Sequence, residues 1–189
     1  MNSVPRRSTA VFLDRDGTIA EEVGYMNHLS RFRLLPGAAE AIRRLNQAGY
    51  PVIVVTNQSG VGRGFFPEEL VQRTHARMAA ELAASEAFVD AIYYCPHIAA
   101  DNCRCRKPLP GMLVRASREQ EVELKGSWVV SDQFADIDMA HSVGAQGILV
   151  MTGYGRGEYE WNRTNWAHIP YQVAEDLPAA VELILEGPR

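Results

Sequence analysis

The sequence lacks any hydrophobic run of the roughly 20 residues that a membrane span needs. Its first apolar stretch, residues 10–13, is too short for the core of a signal peptide and runs directly into an aspartate. Basic residues are not in excess either, since the formal net charge is −4. A strongly basic nucleic-acid or membrane surface is therefore not expected. We expect a cytoplasmic protein that binds neither membranes nor nucleic acids.

Cysteine is scarce, and its placement excludes a disulfide framework. The three cysteines are an odd number and all fall within residues 95–105, which favours a reduced compartment. Cys95, Cys103 and Cys105, together with His97, offer three thiolates and one imidazole, a complete set for a structural zinc ion. The alternative is a group of small buried hydrophobic residues beside one histidine. Because four ligands leave no position for water, a zinc ion here would be structural.

The length and the alternation of patterns predict one α/β domain. A chain of 189 residues fits a single core, residues 1–189, with the metal loop at 95–105. Short β-branched runs alternate with helical periodicity, which predicts an open, Rossmann-like parallel sheet with helices on both faces. The predicted strands are residues 9–13, 51–56, 89–94, 128–131 and 147–151. The predicted helices are residues 38–48, 67–82, 111–120, 136–143 and 177–185, whereas residues 153–168 have no assignable pattern.

Polar side chains follow the predicted strands at the points where these end. Two carboxylates, Asp14 and Asp16, follow the first strand within the motif DRDGT. Gly17 permits a sharp turn there, and a divalent cation would relieve the repulsion between the two acids. Asp14 then suits a covalent nucleophile and Asp16 a general acid and base. The alternative is an ordinary surface turn, for which Asp-Gly is a common pair.

Three further motifs support a phosphate site. Residues 56–60 (TNQSG) offer a hydroxyl and backbone amides that suit phosphate oxygens. Arg106 and Lys107 are adjacent cations in an acidic protein and would stabilise a transferring phosphoryl group. Asp132 would complete an oxygen shell for magnesium, whereas we expect Asp136 to be a helix N-cap or an indirect support. Each motif alone also fits a plain solvated loop. Since parallel strands bind ligands beyond their carboxyl ends, we expect the motifs to converge.

The order of these motifs resembles that of the haloacid dehalogenase superfamily of phosphohydrolases. The resemblance covers nearly the whole chain and implies Mg²⁺-dependent hydrolysis through an aspartyl-phosphate. It implies that Asp14 is the nucleophile and Asp16 the general acid and base, and that Thr56 and Lys107 steady the phosphoryl group. The implied magnesium ligands are Asp14, the backbone carbonyl of Asp16, and Asp132.

The stretches FLDRDGTI, VVTNQSGVGRG, YYCPH and CRCRKPLPGM are similar to the D-glycero-D-manno-heptose-1,7-bisphosphate 7-phosphatases. The histidinol-phosphate phosphatases share the metal loop and are the alternative. The first group implies a small sugar bisphosphate as the substrate, a role in heptose-nucleotide and lipopolysaccharide core precursor synthesis, and no large cap domain. The implied substrate-binding residues are Glu22, Val23, Gly24, Tyr25, Asn57, Gln58, Ser59 and Arg106.

Some features leave the substrate open. Arg63, in a glycine-rich segment, would reach a second phosphate or lie free in solvent. Gln133 stands where many of the heptose enzymes have a lysine, so a cation beside the metal aspartate is absent. A zinc-knuckle module that binds nucleic acid is the alternative from another class, and the net negative charge opposes it. We expect the protein to be a monomer.

Overall fold

The computed structural model describes residues 8–166 and 171–187, which form one parallel sheet flanked by helices. The sheet has six strands in the order β3-β2-β1-β4-β5-β6, and every neighbouring pair is parallel. This confirms the predicted fold class. The strands are β1 (Thr9–Leu13), β2 (Val52–Asn57), β3 (Ala91–Cys95), β4 (Glu123–Ser131), β5 (Gln146–Val150) and β6 (Gln172–Ala174).

Six α-helices cover the two faces of this sheet. They are α1 (Ala38–Gln47), α2 (Glu68–Ala83), α3 (Gly111–Glu119), α4 (Phe134–Ser142), α5 (Gly155–Asn162) and α6 (Leu177–Glu186). Two 3₁₀ turns, Leu29–Arg31 and Ala99–Asp101, lie in the connections. Helices α1, α2 and α6 pack on one face of the sheet and α3 and α4 on the other. Within residues 8–166 and 171–187, no helix combines the length and hydrophobicity that crossing a bilayer requires.

Strand β2 explains why both faces need helices. Val52 and Val54 point into the core beneath α1 and α6, whereas Ile53 and Val55 point into the core beneath α3. All four are fully buried. Because side chains alternate between the faces of a strand, an unbroken apolar run is stable only where both faces are covered. The prediction of a strand buried on both sides is confirmed.

The chain departs from the predicted elements in two places. Strand β4 begins at Glu123, five residues before the predicted start. Its first half was not predicted because that half has no continuous apolar run and alternates between exposed and half-buried positions. Helix α5 occupies part of the stretch that had no assignable pattern, and strand β6, which follows that stretch, was not predicted. Tyr159 of α5 packs against a small core around Phe134. His168, at the end of that stretch, lies outside the described residues.

The strand order creates a crevice beside the central strand. From β1 the chain builds β2 and β3 outward on one side, and then β4, β5 and β6 outward on the other. At such a switch point, adjacent loops leave the carboxyl edge of the sheet in opposite directions and open a ligand site. Asp14 directly follows β1 and Asp132 directly follows β4. The topology therefore brings two predicted site residues to the same crevice.

Candidate active site

A cavity of about 370 Å³ opens at this edge of the sheet and is lined mostly by polar groups. This is enough space for a small phosphorylated metabolite. The predicted site residues that line it are Asp14, Asp16, Glu22, Gly24, Tyr25, Thr56, Asn57, Gln58, Ser59, Arg106 and Lys107. Among the described residues that the sequence placed at the site, Val23 packs against the core and the exposed Arg63 is outside the cavity lining.

A buried lysine joins two carboxylates beneath the cavity. The Lys107 Nζ lies 2.8 Å from Asp14 Oδ1, 2.5 Å from Asp136 Oδ2 and 3.2 Å from the carbonyl oxygen of Val55. Burial opposes the charge of Lys107, but Asp136 and Asp14 outweigh it and raise the pKa of Lys107 above its ordinary value. Lys107 is therefore a fixed cation beside the oxygen of Asp14.

Asp136 supports this lysine. The N-cap of α4 is Gln133, so the N-cap alternative for Asp136 is wrong. The Asp136 side chain accepts hydrogen bonds from Lys107 and, at 2.7 Å, from the hydroxyl of Ser131. These contacts indicate that Asp136 has an indirect role, in which it holds Lys107 in position.

The carboxylates Asp14 and Asp132 are crowded and buried. Burial raises the pKa of Asp14 to about 6, against the opposing charge of Lys107. Burial, with the charge of Asp14, raises the pKa of Asp132 to about 8. The Oδ1 of Asp132 is buried and accepts no hydrogen bond from the described residues. A divalent cation bound by carboxylate and carbonyl oxygens would satisfy this atom and favour both charged forms.

The loop after β5 encloses Asp132, and this contact was not predicted. A Cβ at Gly17 would lie 2.1 Å from Asp132 Oδ2, and a Cβ at Gly153 would lie 2.2 Å from the same atom. Both glycines have positive φ, so no other residue fits either position without strain. The backbone N–H of Tyr154 donates to Asp132 Oδ2 at 2.8 Å, and the Thr152 hydroxyl donates to the carbonyl of Gly17 at 2.6 Å. A glycine soon after a predicted strand was the available signal.

Asp16 is held by side chains on both sides. The Arg15 guanidinium donates from Nε to Oδ1 at 3.0 Å and from Nη2 to Oδ2 at 2.6 Å. The Gln58 amide donates to Asp16 Oδ2 and to Thr56 Oγ1, both at 2.9 Å. Because the Thr56 oxygen accepts from Gln58, its own proton is free to point at a ligand. The loop after β2 thus aligns Thr56 and Asp16 in one wall of the cavity.

The predicted metal ligands lie together beside this wall. The Sγ atoms of Cys95, Cys103 and Cys105 and the ring nitrogen of His97 are all within 4.8 Å of one another. Five of the six pairs are 3.1–3.6 Å apart. Two sulfurs bound to one zinc ion at about 2.3 Å must lie within about 4.6 Å of each other. We call these four residues the Cys/His site, and its geometry fits one tetrahedral ion.

Four hydrogen bonds connect the segment of the Cys/His site to the cavity wall. Asn57 Nδ2 donates to the Lys107 carbonyl at 3.3 Å, and the Lys107 N–H donates to Asn57 Oδ1 at 3.1 Å. The Gln58 N–H donates to the Cys95 carbonyl at 2.7 Å. The Arg106 guanidinium donates to the carbonyl of His97 at 3.3 Å. The contacts of the metal loop, residues 95–105, therefore hold the backbone of Arg106 and Lys107 in position.

Comparison with known proteins agrees with this geometry. The family model of haloacid dehalogenase-like hydrolases matches residues 11–96, and the HAD-hydrolase-like model matches residues 104–180. The D-glycero-D-manno-heptose-1,7-bisphosphate 7-phosphatase of Thermosynechococcus vestitus is 42% identical over 186 residues, which are 93% of this chain and 94% of the relative. The D-glycero-beta-D-manno-heptose-1,7-bisphosphate 7-phosphatase of Escherichia coli K12 is 36% identical over 182 residues, which are 92% and 93% of the two chains.

A solved structure shows the same arrangement of the chain. The D,D-heptose 1,7-bisphosphate phosphatase from B. bronchiseptica, complexed with magnesium and phosphate, superposes with a TM-score of 0.86 at 37% sequence identity. The match covers 95% of this chain and 99% of that one. The resemblance inferred from the motifs is confirmed. This chain belongs to the haloacid dehalogenase-like hydrolases and, within them, to the family of the D-glycero-D-manno-heptose-1,7-bisphosphate 7-phosphatases.

Proposed function

We propose that this phosphatase hydrolyses the 7-phosphate of a heptose 1,7-bisphosphate through a covalent intermediate on Asp14. The observation that carries the proposal is the buried contact of Lys107 with Asp14, at the floor of a polar cavity. A nucleophilic carboxylate beside a fixed cation suits attack on an anionic phosphoryl group. The names of the relatives at 36–42% identity support the heptose substrate.

The proposed reaction has two halves. Asp14 forms a bond to phosphorus while the bond from phosphorus to the sugar oxygen breaks, and Asp16 gives its proton to that oxygen. Asp16 then takes a proton from water as the water attacks the aspartyl-phosphate, which releases inorganic phosphate and restores Asp14. The Thr56 hydroxyl and the Lys107 ammonium hold the phosphoryl oxygens through both halves.

We infer that Mg²⁺ is the catalytic cation. The residues that would hold it are Asp14, Asp132 and the backbone carbonyl of Asp16, and the unpartnered Oδ1 of Asp132 fits this role. The magnesium in the B. bronchiseptica structure supports the inference. When bound, the ion neutralises charge on the phosphoryl oxygens.

We also infer that the Cys/His site holds a structural zinc ion. Three thiols and one imidazole are a soft, closed ligand set, which favours zinc over magnesium. All three cysteines are free thiols, which supports a reducing compartment such as the cytoplasm. We propose that the protein acts there in the synthesis of heptose-nucleotide and lipopolysaccharide core precursors. Elemental analysis of the purified protein should give one zinc per chain, and a chain folded and active without any transition metal would exclude this role.

The rest of the substrate would lie across the outer part of the cavity. Arg106 lines it next to Lys107 and is placed to meet anionic or hydroxyl groups of the sugar. Glu22, Tyr25 and Gln133 line it as well and offer hydrogen bonds to hydroxyls. Since Gln133 is neutral, the binding of the second phosphate rests mainly on Arg106.

We expect a monomer with a single domain, which size-exclusion chromatography and limited proteolysis would check.

A substrate panel tests the proposal. Phosphate release would be measured with Mg²⁺ on both anomers of the heptose 1,7-bisphosphate, on histidinol phosphate and on common hexose phosphates. We expect the largest kcat/KM for one heptose anomer and no activity for Asp14→Asn. A larger kcat/KM for histidinol phosphate would reject the heptose assignment, and full turnover by the Asp14→Asn protein would reject the mechanism.

A further inference from the structure

Arg15 lies between the two aspartates of the DRDGT motif, yet it is the largest side chain that the fold buries completely. A buried guanidinium is costly unless its donors are paired. Its Nε and Nη2 donate to the two carboxylate oxygens of Asp16, as described above. Its Nη1 lies 3.2 Å from Nε2 of His75 on α2. Neither Arg15 nor His75 lines the cavity, so both act from behind Asp16.

His75 has the protonation state that this contact requires. Burial and, to a lesser extent, the charge of Arg15 lower the pKa of His75 to about 4, and the charge of Asp16 opposes the shift. A neutral imidazole has one nitrogen with a free lone pair, and Nε2 accepts the Arg15 N–H. The ring of Tyr94 packs edge-on at a centroid distance of 5.5 Å, and the Tyr94 hydroxyl donates to Glu68 at 2.8 Å. The His75 ring therefore has a fixed place between α2 and β3.

We propose that His75 and Arg15 are positioning residues for proton transfer by Asp16. His75 fixes the guanidinium of Arg15, and the two parallel hydrogen bonds of that planar group fix the plane of the Asp16 carboxyl group. The Gln58 amide supplies the contact from the opposite side. The carboxyl group is then aimed at the leaving oxygen before the substrate binds. This inference rests on the proposed function, because it assigns Asp16 the proton that the sugar oxygen receives.

The leaving group decides how much this alignment matters. When the bond from phosphorus to oxygen breaks, a sugar alkoxide is strongly basic and requires the Asp16 proton. A nitrophenolate is weakly basic and departs without it. A misaligned Asp16 should therefore slow the first half of the reaction for a sugar phosphate and leave it nearly unchanged for p-nitrophenyl phosphate. A general loss of structure would slow both.

The test compares kcat/KM for the two substrates, since this constant reports the steps through departure of the leaving group. His75→Phe keeps an aromatic ring against Tyr94 but has no acceptor for Arg15. We expect kcat/KM for the heptose bisphosphate to fall by about 10–100-fold and that for p-nitrophenyl phosphate by less than about 3-fold. His75→Gln, whose side-chain oxygen accepts a hydrogen bond, should recover most of the loss. Met78→Leu, a buried change of similar volume three residues along the same helix, is the packing control and should change neither constant beyond about 2-fold.

An equal fall for both substrates in His75→Phe, or no fall for either, would overturn the inference. Thermal unfolding of each variant shows whether it is folded. If His75→Phe is not, His75→Leu is measured in the same way against the same control. Inactivity of the unaltered protein on every phosphate would instead reject the proposed function, as would full activity of Asp14→Asn.

Discussion

We call the group of Asp14, Asp16, Asp132 and Asp136 around Lys107 the carboxylate site. Its residues come from segments that are far apart in the chain, from the end of β1 to the start of α4. The Cys/His site takes all four ligands from residues 95–105. The carboxylate site therefore exists only once the sheet has formed, since the strand order brings its members together. The Cys/His site needs little more than one loop, and with an ion bound it would organise the chain locally.

The two sites also differ in what they do for stability. The carboxylate site buries several like charges, and the raised pKa values of Asp14 and Asp132 show that the fold without a cation disfavours their charged forms. Such a site would serve the proposed reaction at a cost in stability. A structural zinc site contributes folding free energy instead. Changes at the carboxylate site should thus separate activity from stability, whereas changes at the Cys/His site should lower both.

The largest expected effect is on activity alone. Asp14→Asn removes the nucleophile, and we expect kcat to fall by at least about 10³-fold. The free energy of unfolding of the metal-free protein should be unchanged or higher, because one buried charge is removed while Lys107 keeps Asp136 as its partner. Phosphate release and chemical denaturation would measure the two quantities. A mutant that loses stability as well as activity would contradict the separation.

The next effect joins activity and stability. Cys105→Ser removes one ligand and should lower the free energy of unfolding by about 2–4 kcal/mol and the zinc content to well below one per chain. Activity should fall too, since Arg106 and Lys107 follow directly in the chain. Met112→Leu, a buried change near the metal loop, controls for packing. Normal activity in a destabilised Cys105→Ser protein would show that the loop does not hold Lys107.

Magnesium should stabilise the folded protein through the carboxylate site. At a concentration between about 10 and 100 times its Kd, we expect Mg²⁺ to raise the free energy of unfolding by about 1–3 kcal/mol. Asp132→Asn should remove most of this increase, because the proposed ligand oxygen, Asp132 Oδ1, has no hydrogen-bond partner among the described residues. The shift of the thermal unfolding temperature at several Mg²⁺ concentrations measures this stabilisation in both proteins. An undiminished response in Asp132→Asn would place the magnesium elsewhere.

The smallest expected effect is the contribution of His75, which lies behind Asp16, to the pH dependence of the free energy of unfolding. The pKa of His75 is lowered from 6.5 to about 4, so its contribution is fully present above pH 6.5 and is lost as the pH falls through 4. Between pH 7 and pH 5 the unfolded chain gains the proton and the folded chain does not, which costs about 1–2 kcal/mol. His75→Gln should lose less stability over this interval than the unaltered protein does. Equal losses in the two proteins would contradict a buried neutral His75.

Periodicity predicted the central elements of the fold well. Residues 52–55 and the apolar faces of α1 and α6 form the core, so their hydrophobic patterns were unambiguous. The first half of β4 was missed because Glu123 and Lys125 lie where the strand is not buried on both faces. Helix α5 was missed because Gly155 alone among its residues is buried, which leaves no apolar stripe to detect.

The sequence located the chemistry but not all of its contacts. DRDGT and the Cys/His spacing named most of the residues that the structure brings together, and their catalytic and ligand roles stay predictions. The pairing of Lys107 with Asp136 and the burial of Arg15 against His75 depend on how distant elements pack. No role was predicted for Arg15, because a single sequence contains no local signal for a partner sixty residues away on α2.

The most direct measurement of the central claim is the mass of the Asp14 peptide during turnover. Asp16→Asn removes the base that the second half requires, so an aspartyl-phosphate should accumulate when this variant is mixed with p-nitrophenyl phosphate and quenched in acid. We predict that the Asp14 peptide of the Asp16→Asn variant carries a phosphoryl group. The double variant Asp14→Asn with Asp16→Asn should carry none. Release of nitrophenol by Asp16→Asn with no phosphoryl group on Asp14 would contradict the account.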